Sequence, residues 1–199
     1  DTILLVCGRE HAGHFMNFLG SGREYGVKLS YALQDKDNGG IADALRYTED
    51  FADGGSVAVA LGDNIFEKHF GQHVAAFKTG AMVFLKKVPD PQRFGVPVLS
   101  KDKRSIIQME EKPKKPQSPY AYVGFYLFDN KVFEMIRHLA PSERNELEIT
   151  DVVNKYLEIG ELRHAIAHGF WSDAGTIPSL LKAALWASKR LNYDQRPRN

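Results

Sequence analysis

Short apolar runs rich in β-branched residues recur along this chain, and the stretches between the first of them carry helical spacing. That alternation restricts the fold to a sheet layered with helices. "TILLVCG", "VKLSYALQ", "SVAVAL" and "GAMVFLKKV" read as strands. Between them, "REHAGHFMNFLGSGREYG" sets Phe15, Phe18 and Leu19 on one helical stripe and stops at Gly20. "GGIADALRYTEDF" reads as one helix with Ile41, Ala44, Leu45 and Thr48 on one side, and "FGQHVAAFK" as a short helix. The expectation is an α/β domain with a largely parallel sheet. After Pro89 the texture turns β-rich, in "FGVPVLS", "SIIQMEEKP" and "YAYVGFYLFD". Helices return in "NKVFEMIRHLA" and "EITDVVNKYLEIG", and the strand "LRHAIAHGFW" leads to a last helix whose apolar face is Ile177, Leu180, Leu181 and Ala184.

With 199 residues the chain suffices for one domain with a substantial core. We expect a single domain over 1–199, with a nucleotide-binding-like first half (1–88), a β-rich second half (89–187) and a polar tail (188–199). The 26 Lys and Arg nearly cancel the 25 Asp and Glu, so no global field draws the chain to nucleic acid or an anionic membrane. The single cysteine, Cys7, sits in "ILLVC" and reads as a buried small hydrophobe; no intrachain disulfide can form, which fits a reducing compartment. No apolar run approaches the roughly 20 residues that span a bilayer, and the expected location is cytoplasmic. The chain opens on a strand already under way, with neither Met nor a leader pattern, as a piece of a longer polypeptide would.

Polar residues at the strand ends are where open α/β sheets bind ligands. Asp63, in "ALGDNIF", follows the run Val57–Leu61, which reads as a buried strand; Asp173, in "FWSDAG", follows another apolar run. Two carboxylates from separate strand ends could share one Mg²⁺; alternatively Asp63 closes an Asx-turn and Asp173 caps the last helix. Glu111 and Lys112 in "EEKP" could grip sugar hydroxyls and a phosphate, or form a solvated turn. Arg144 offers a fork for phosphate, or a surface ion pair with Glu146 or Glu148. Gln34 could read a base edge or start a turn, and "DNGGIADA" is either a close-approach loop or a plain turn. His11 and His14 have metal-like spacing but no matching His or Cys cluster.

Taken in order, "LQDKDNGGIADAL", "LGDNIF", "DPQRFGV", "EEKPKKPQSPYAYVGFYLFD", "PSERNELEITDVVNKYLEIG" and "FWSDAGT" resemble the glucose-1-phosphate thymidylyltransferases, over roughly residues 2 to 187. The resemblance implies a nucleotidyltransferase-like (Rossmann-like) α/β fold, with a mixed, mostly parallel sheet flanked by helices and a β-rich sugar-binding part. It implies Mg²⁺-dependent transfer of a thymidylyl group from dTTP to glucose 1-phosphate, giving dTDP-glucose and pyrophosphate, in a homo-oligomer. Carried over by position, Asp63 and Asp173 match the Mg²⁺-binding aspartates, Gln34 the residue on the thymine edge, and Gly40 the glycine beside the nucleoside. Leu61, Gly95, Glu111 and Lys112 match the sugar-phosphate pocket, Arg144 the arginine on the sugar phosphate, and Trp171 a wall of the same site. A pyrophosphorylase for another nucleotide or sugar phosphate would share this pattern.

The chain departs from many members in Phe94, where they have tyrosine, and in Tyr122, where they have valine. Nothing in it matches the Gly-Gly-x-Gly-Thr-Arg-Leu loop with which the family begins. If these residues were the whole polypeptide, the expectation is a catalytically dead remnant that binds sugar phosphate weakly and exposes an apolar sheet edge.

Overall fold

The computed structural model describes residues 2–36, 38–101 and 105–191. It opens with β1 (Thr2–Gly8), crosses over through α1 (Arg9–Leu19) and returns as β2 (Lys28–Gln34), which pairs parallel to β1. The long segment read as one helix is two: α2 (Ile41–Arg46) and α3 (Glu49–Ala52). They part at Thr48, whose hydroxyl donates to the Leu45 carbonyl at 2.8 Å, a side-chain bond that competes with continuation of the helix.

β3 (Val57–Ala60) is followed by the short β4 (Asn64–Phe66), α4 (Gly71–Ala76), β5 (Ala81–Lys87), β6 (Gly95–Leu99), β7 (Ile106–Glu111) and β8 (Tyr120–Phe128). α5 (Lys131–Arg137) and α6 (Ile149–Glu158) precede β9 (Leu162–Ile166), β10 (Trp171–Asp173) and α7 (Ile177–Leu191). The larger sheet runs β3-β8-β5-β9. It is mixed, as expected, but the balance is less parallel: β8 is antiparallel to both neighbours, and only β5–β9 is parallel within it. The cause is β8 itself, an inserted return strand lodged between β3 and β5.

Alternate residues of β5 and β8 enter opposite cores, the period-two signature of strands covered on both faces. Val83, Leu85, Tyr122, Tyr126 and Phe128 face α5 and α6, where Val132, Ile136, Val152, Val153 and Tyr156 are buried. Phe84, Val123 and Leu127 face the other way, against Trp171 and Ala167, with Phe66, Phe70 and Phe125 packed around them. Each such side chain removed from water contributes about 1.5–3 kcal/mol, so this double core fixes the strand ends that carry the site.

Several apolar faces differ from expectation. β3 alternates between half-buried and exposed residues rather than being fully buried. Among the described residues its second edge is unpaired, as is that of β1, and both strands line one cleft. The α1 stripe is turned outward, with Phe18 79% exposed; Ala12 is the buried residue of that helix. In α7, Ile177, Leu180 and Leu181 are exposed, while Ala183 is buried and Trp186 stacks on Phe170 at 4.5 Å. Asp173 does not cap α7. Thr176 and Ser179 do so reciprocally, by backbone-to-hydroxyl bonds of 3.3 and 3.1 Å, with Pro178 in the first turn. Of the polar tail expected over 188–199, residues 188–191 are the end of α7, and 192–199 lie outside the described residues.

Candidate active site

A cleft of about 1380 Å³ is lined by Gln34, Gly40, Leu61, Asp63, Gly95, Glu111, Lys112, Arg144, Trp171 and Asp173, every one of the site residues named from the sequence. All but Arg144 arrive at a strand end or in the loop that follows a strand; Arg144 comes from the segment between α5 and α6.

The turn after β3 is closed by the Asn64 N–H donating to the Leu61 carbonyl at 3.0 Å, and Leu61 is tied to β8 through the Gly124 carbonyl at 2.9 Å. Asn64 organises what surrounds it. Its Oδ1 accepts from the Gly124 N–H at 3.0 Å and from the Trp171 indole N–H at 2.7 Å, and its Nδ2 donates to Asp63 Oδ1 at 2.7 Å. β10 pairs antiparallel with β4 so that Asp173 lies opposite Asn64. A Cβ on Gly175 would sit 2.8 Å from Asp63 Oδ2, so the two aspartate-bearing loops meet.

Arg93, within "DPQRFGV" and not among the candidate residues of the sequence, also lines the cleft. Its guanidinium donates to Asp173 Oδ2 at 2.7 Å and to Asp90 Oδ2 at 2.9 Å, and lies 5.1 Å from the Phe94 ring centre. The Asp90 hydrogen bond above all, with the charge of Asp173, holds it more firmly protonated than an ordinary arginine. Phe94 in turn meets Trp171 edge to face at 5.3 Å.

A second charged group gathers at the end of β7. Arg144 reaches Glu148 with a bond of 2.8 Å to Oε2 and one of 3.2 Å from Nε to Oε1. It also approaches Glu111 at 3.3 Å and Glu146 at 3.6 Å. Burial works against its charge, but the bonds and charges of Glu148, Glu146 and Glu111 prevail and raise its pKa. The surface pair weighed for Arg144 is therefore a half-buried cluster around three carboxylates. Lys112 adopts a left-handed backbone (φ 43°), its N–H bonded to the Phe94 carbonyl at 3.0 Å and its Nζ 3.8 Å from Glu111. A non-glycine residue in that region is strained, and such strain concentrates at ligand sites.

On the facing wall, Gln34 donates from Nε2 to the Gly40 carbonyl at 3.1 Å and to the buried Asp43 at 2.9 Å. Gly40 has φ 90°, and a Cβ there would overlap the Leu147 carbonyl oxygen, so only glycine lets this loop lie against the Arg144 segment. Lys36 closes the contact by donating to the Asn145 carbonyl at 2.8 Å.

Two carboxylates at meeting loops fit a small hard cation that takes one or two carboxylates and completes its shell with phosphate oxygens and water. Among the described residues there is no larger group of His, Cys, Asp or Glu suited to a metal. Nor is any described helix long and apolar enough to cross a membrane.

Residues 1–190 match the Nucleotidyl transferase family. The chain belongs to that family. It is 42% identical over 188 residues to the glucose-1-phosphate thymidylyltransferase of Neisseria gonorrhoeae, covering 92% of this chain and 65% of that protein. It is 34% identical over 183 residues to the low-salt glycan biosynthesis nucleotidyltransferase Agl11 of Haloferax volcanii, covering 90% of this chain and 51% of that protein. The chain thus spans just under two thirds of the first of these relatives. A Bacillus anthracis protein provisionally described as a glucose-1-phosphate thymidylyltransferase, solved with a sucrose, superposes with a TM-score of 0.86 at 49% identity. That alignment covers 93% of this chain and 75% of the other. A UDP-glucose pyrophosphorylase complexed with UDP-glucose shares the fold, at a TM-score of 0.78 and 22% identity.

Proposed function

We propose that this nucleotidyl transferase chain carries active-site residues of a glucose-1-phosphate thymidylyltransferase. The observation that carries the reading is the convergence of all ten sequence-derived residues on one cleft. In the reaction, a phosphate oxygen of glucose 1-phosphate forms a bond to the α-phosphorus of dTTP. The bond from that phosphorus to the bridging β-phosphate oxygen breaks, and pyrophosphate leaves with the electron pair. Such a transfer asks the protein for alignment and charge neutralisation rather than covalent help.

Lys112 and Arg144 hold the sugar phosphate, the latter by exchanging carboxylate partners for phosphate oxygens. Glu111 accepts from a sugar hydroxyl. Gln34, with Nε2 tied to Gly40 and Asp43, offers Oε1 to the thymine edge, and Gly40 gives the base room. Leu61, Gly95 and Trp171 wall the nucleotide-sugar site. Asp63 and Asp173 would hold Mg²⁺, which when bound supplies charge neutralisation at the phosphates. The protein functions in the cytoplasm as a homo-oligomer, and the exposed apolar stripe Ile177, Leu180, Leu181 and Leu185 of α7 supports the self-association.

The test is pyrophosphate release by the full-length protein with Mg²⁺ and glucose 1-phosphate, comparing dTTP, UTP, CTP and GTP. The expected result is preference for dTTP. Activity with UTP equal to or above that with dTTP would overturn the thymidylyl assignment.

A further inference from the structure

Tyr122 projects from β8 toward the end of β7 and the start of α6. Its hydroxyl donates to Glu111 Oε2 at 3.1 Å and also touches the Thr150 hydroxyl, which itself bonds to Oε2. The two hydroxyls and Glu111 Oε2 thus form one cluster, with two protons shared among three oxygens. Glu111 Oε1 instead faces Arg144 at 3.3 Å and Lys112 at 3.8 Å. The Tyr122 ring occupies the space beside Gly95 so completely that a Cβ on that glycine would overlap it, and both residues line the cleft. Burial first, then the nearby Tyr126 and Glu111, keeps the phenol protonated far beyond its ordinary range, so it is a permanent donor.

We propose that Tyr122 is the positioning residue that sets sugar selection: with Thr150 it commits Oε2 of Glu111, turns Oε1 toward the ligand, and closes the space beside Gly95. A carboxylate has about four acceptor positions. Committing one oxygen to the protein leaves the other to accept from a single, directionally defined sugar hydroxyl. A sugar epimeric at that hydroxyl then leaves a half-buried carboxylate oxygen without its donor, which is how a hydrogen-bonding site rejects close analogues. The proposal rests on the sugar-phosphate reading of this end of the cleft, and not on the identity of the nucleotide.

The test is calorimetric binding of glucose 1-phosphate and galactose 1-phosphate to the full-length protein, its Tyr122→Phe variant and its Thr150→Val variant, with circular dichroism as a check of folding. Loss of one bond to a charged acceptor is expected to weaken glucose 1-phosphate about tenfold and to narrow the glucose-to-galactose ratio by a similar factor. Binding of dTTP is expected to stay within about twofold in each variant, because neither hydroxyl is assigned to the nucleotide and distant, independent sites are nearly additive. A purely structural tyrosine would lower stability without moving the sugar ratio. An unchanged ratio in the folded Tyr122→Phe protein overturns the proposal; should that variant not fold, an unchanged ratio in Thr150→Val does so. Wild-type protein that binds hexose 1-phosphates yet releases no pyrophosphate refutes the transfer reading while leaving the Tyr122 comparison decisive. Wild-type protein that binds neither sugar phosphate overturns both.

Discussion

Asn64→Ala is the substitution that best separates this architecture from a generic strand-end turn. The side chain satisfies the Gly124 N–H at 3.0 Å and the Trp171 indole N–H at 2.7 Å through one oxygen, and donates to Asp63 at 2.7 Å. Alanine leaves two donors without their acceptor, and a buried group left unsatisfied costs about 1–3 kcal/mol. Trp171 is 8% exposed, but Asn64 lines the cleft, so water can reach part of the vacated space. The expected loss is therefore near the lower end for two donors, about 2–3 kcal/mol. With a urea m-value of about 2 kcal/mol/M, the midpoint should fall by roughly 1–1.5 M, read by circular dichroism. A cycle with Trp171→Phe isolates the indole bond: without the N–H, Asn64→Ala should cost about 1 kcal/mol less. A midpoint shift below about 0.3 M, or strictly additive variants, would refute the keystone role assigned to this amide.

Asp63→Asn and Asp173→Asn should each abolish Mg²⁺-dependent pyrophosphate release while leaving the circular dichroism spectrum unchanged; retained turnover in either refutes their shared role. Gly95→Ala should destabilise the fold because its Cβ overlaps the Tyr122 ring, and combining it with Tyr122→Val should restore much of the lost midpoint in urea. Glu67 is held below the ordinary glutamate pKa of 4.5 chiefly by the Phe170 backbone N–H at 2.7 Å, helped by Arg190. Its folded pKa is depressed, so its stabilisation is present above pH 4.5 and is lost as the pH falls through the folded value. Melting temperatures between pH 6 and 3 should accordingly decline less steeply in Glu67→Gln; an equally steep decline would refute the coupling.

The parts of this fold legible in the sequence were those where one residue pattern has one physical meaning. The apolar runs of β5 and β8 read as strands, and both are covered on two faces. Asp63, Glu111 and Asp173 stood out because polar groups interrupt such runs at their ends, whereas Gly40, Leu61, Gly95 and Trp171 were legible only through the family resemblance. The breaks were less legible. Thr48 fits a helical pattern in the sequence, yet its hydroxyl competes for the Leu45 carbonyl and ends α2. The outward faces of α1 and α7 could not be foreseen, because amphipathicity says that a stripe exists and not what covers it. Arg93 was hidden for a related reason. Its role depends on Asp173, 80 positions away, and only the pairing of β10 with β4 brings that carboxylate within reach.

The charge pattern of the cleft bears on how tightly it can hold a ligand. Its cations are already engaged: Arg93 by Asp90 and Asp173, Arg144 by Glu148 and Glu111, and Lys112 near Glu111. A phosphate entering beside Arg144 therefore meets a guanidinium that is prepaired and already partly stripped of water. Most of the desolvation cost of the cation has been met on folding, but each new phosphate bond replaces a carboxylate bond rather than adding to it. The net affinity is the difference between two similar terms, and small displacements of Glu148 or Glu111 change it disproportionately. Orientation gains where affinity does not. A guanidinium fixed at Nε and Nη2 by Glu148 presents its remaining N–H groups in set directions, so phosphate is accepted in few poses. For a transfer whose rate depends on in-line alignment, weak but directional binding is the more productive arrangement. It leads to the expectation that Glu148→Gln, by loosening this grip, tightens glucose 1-phosphate binding while lowering kcat. Calorimetry and steady-state assay on the same preparation test this, and tighter binding with unchanged kcat would show that the carboxylate only competes and does not orient.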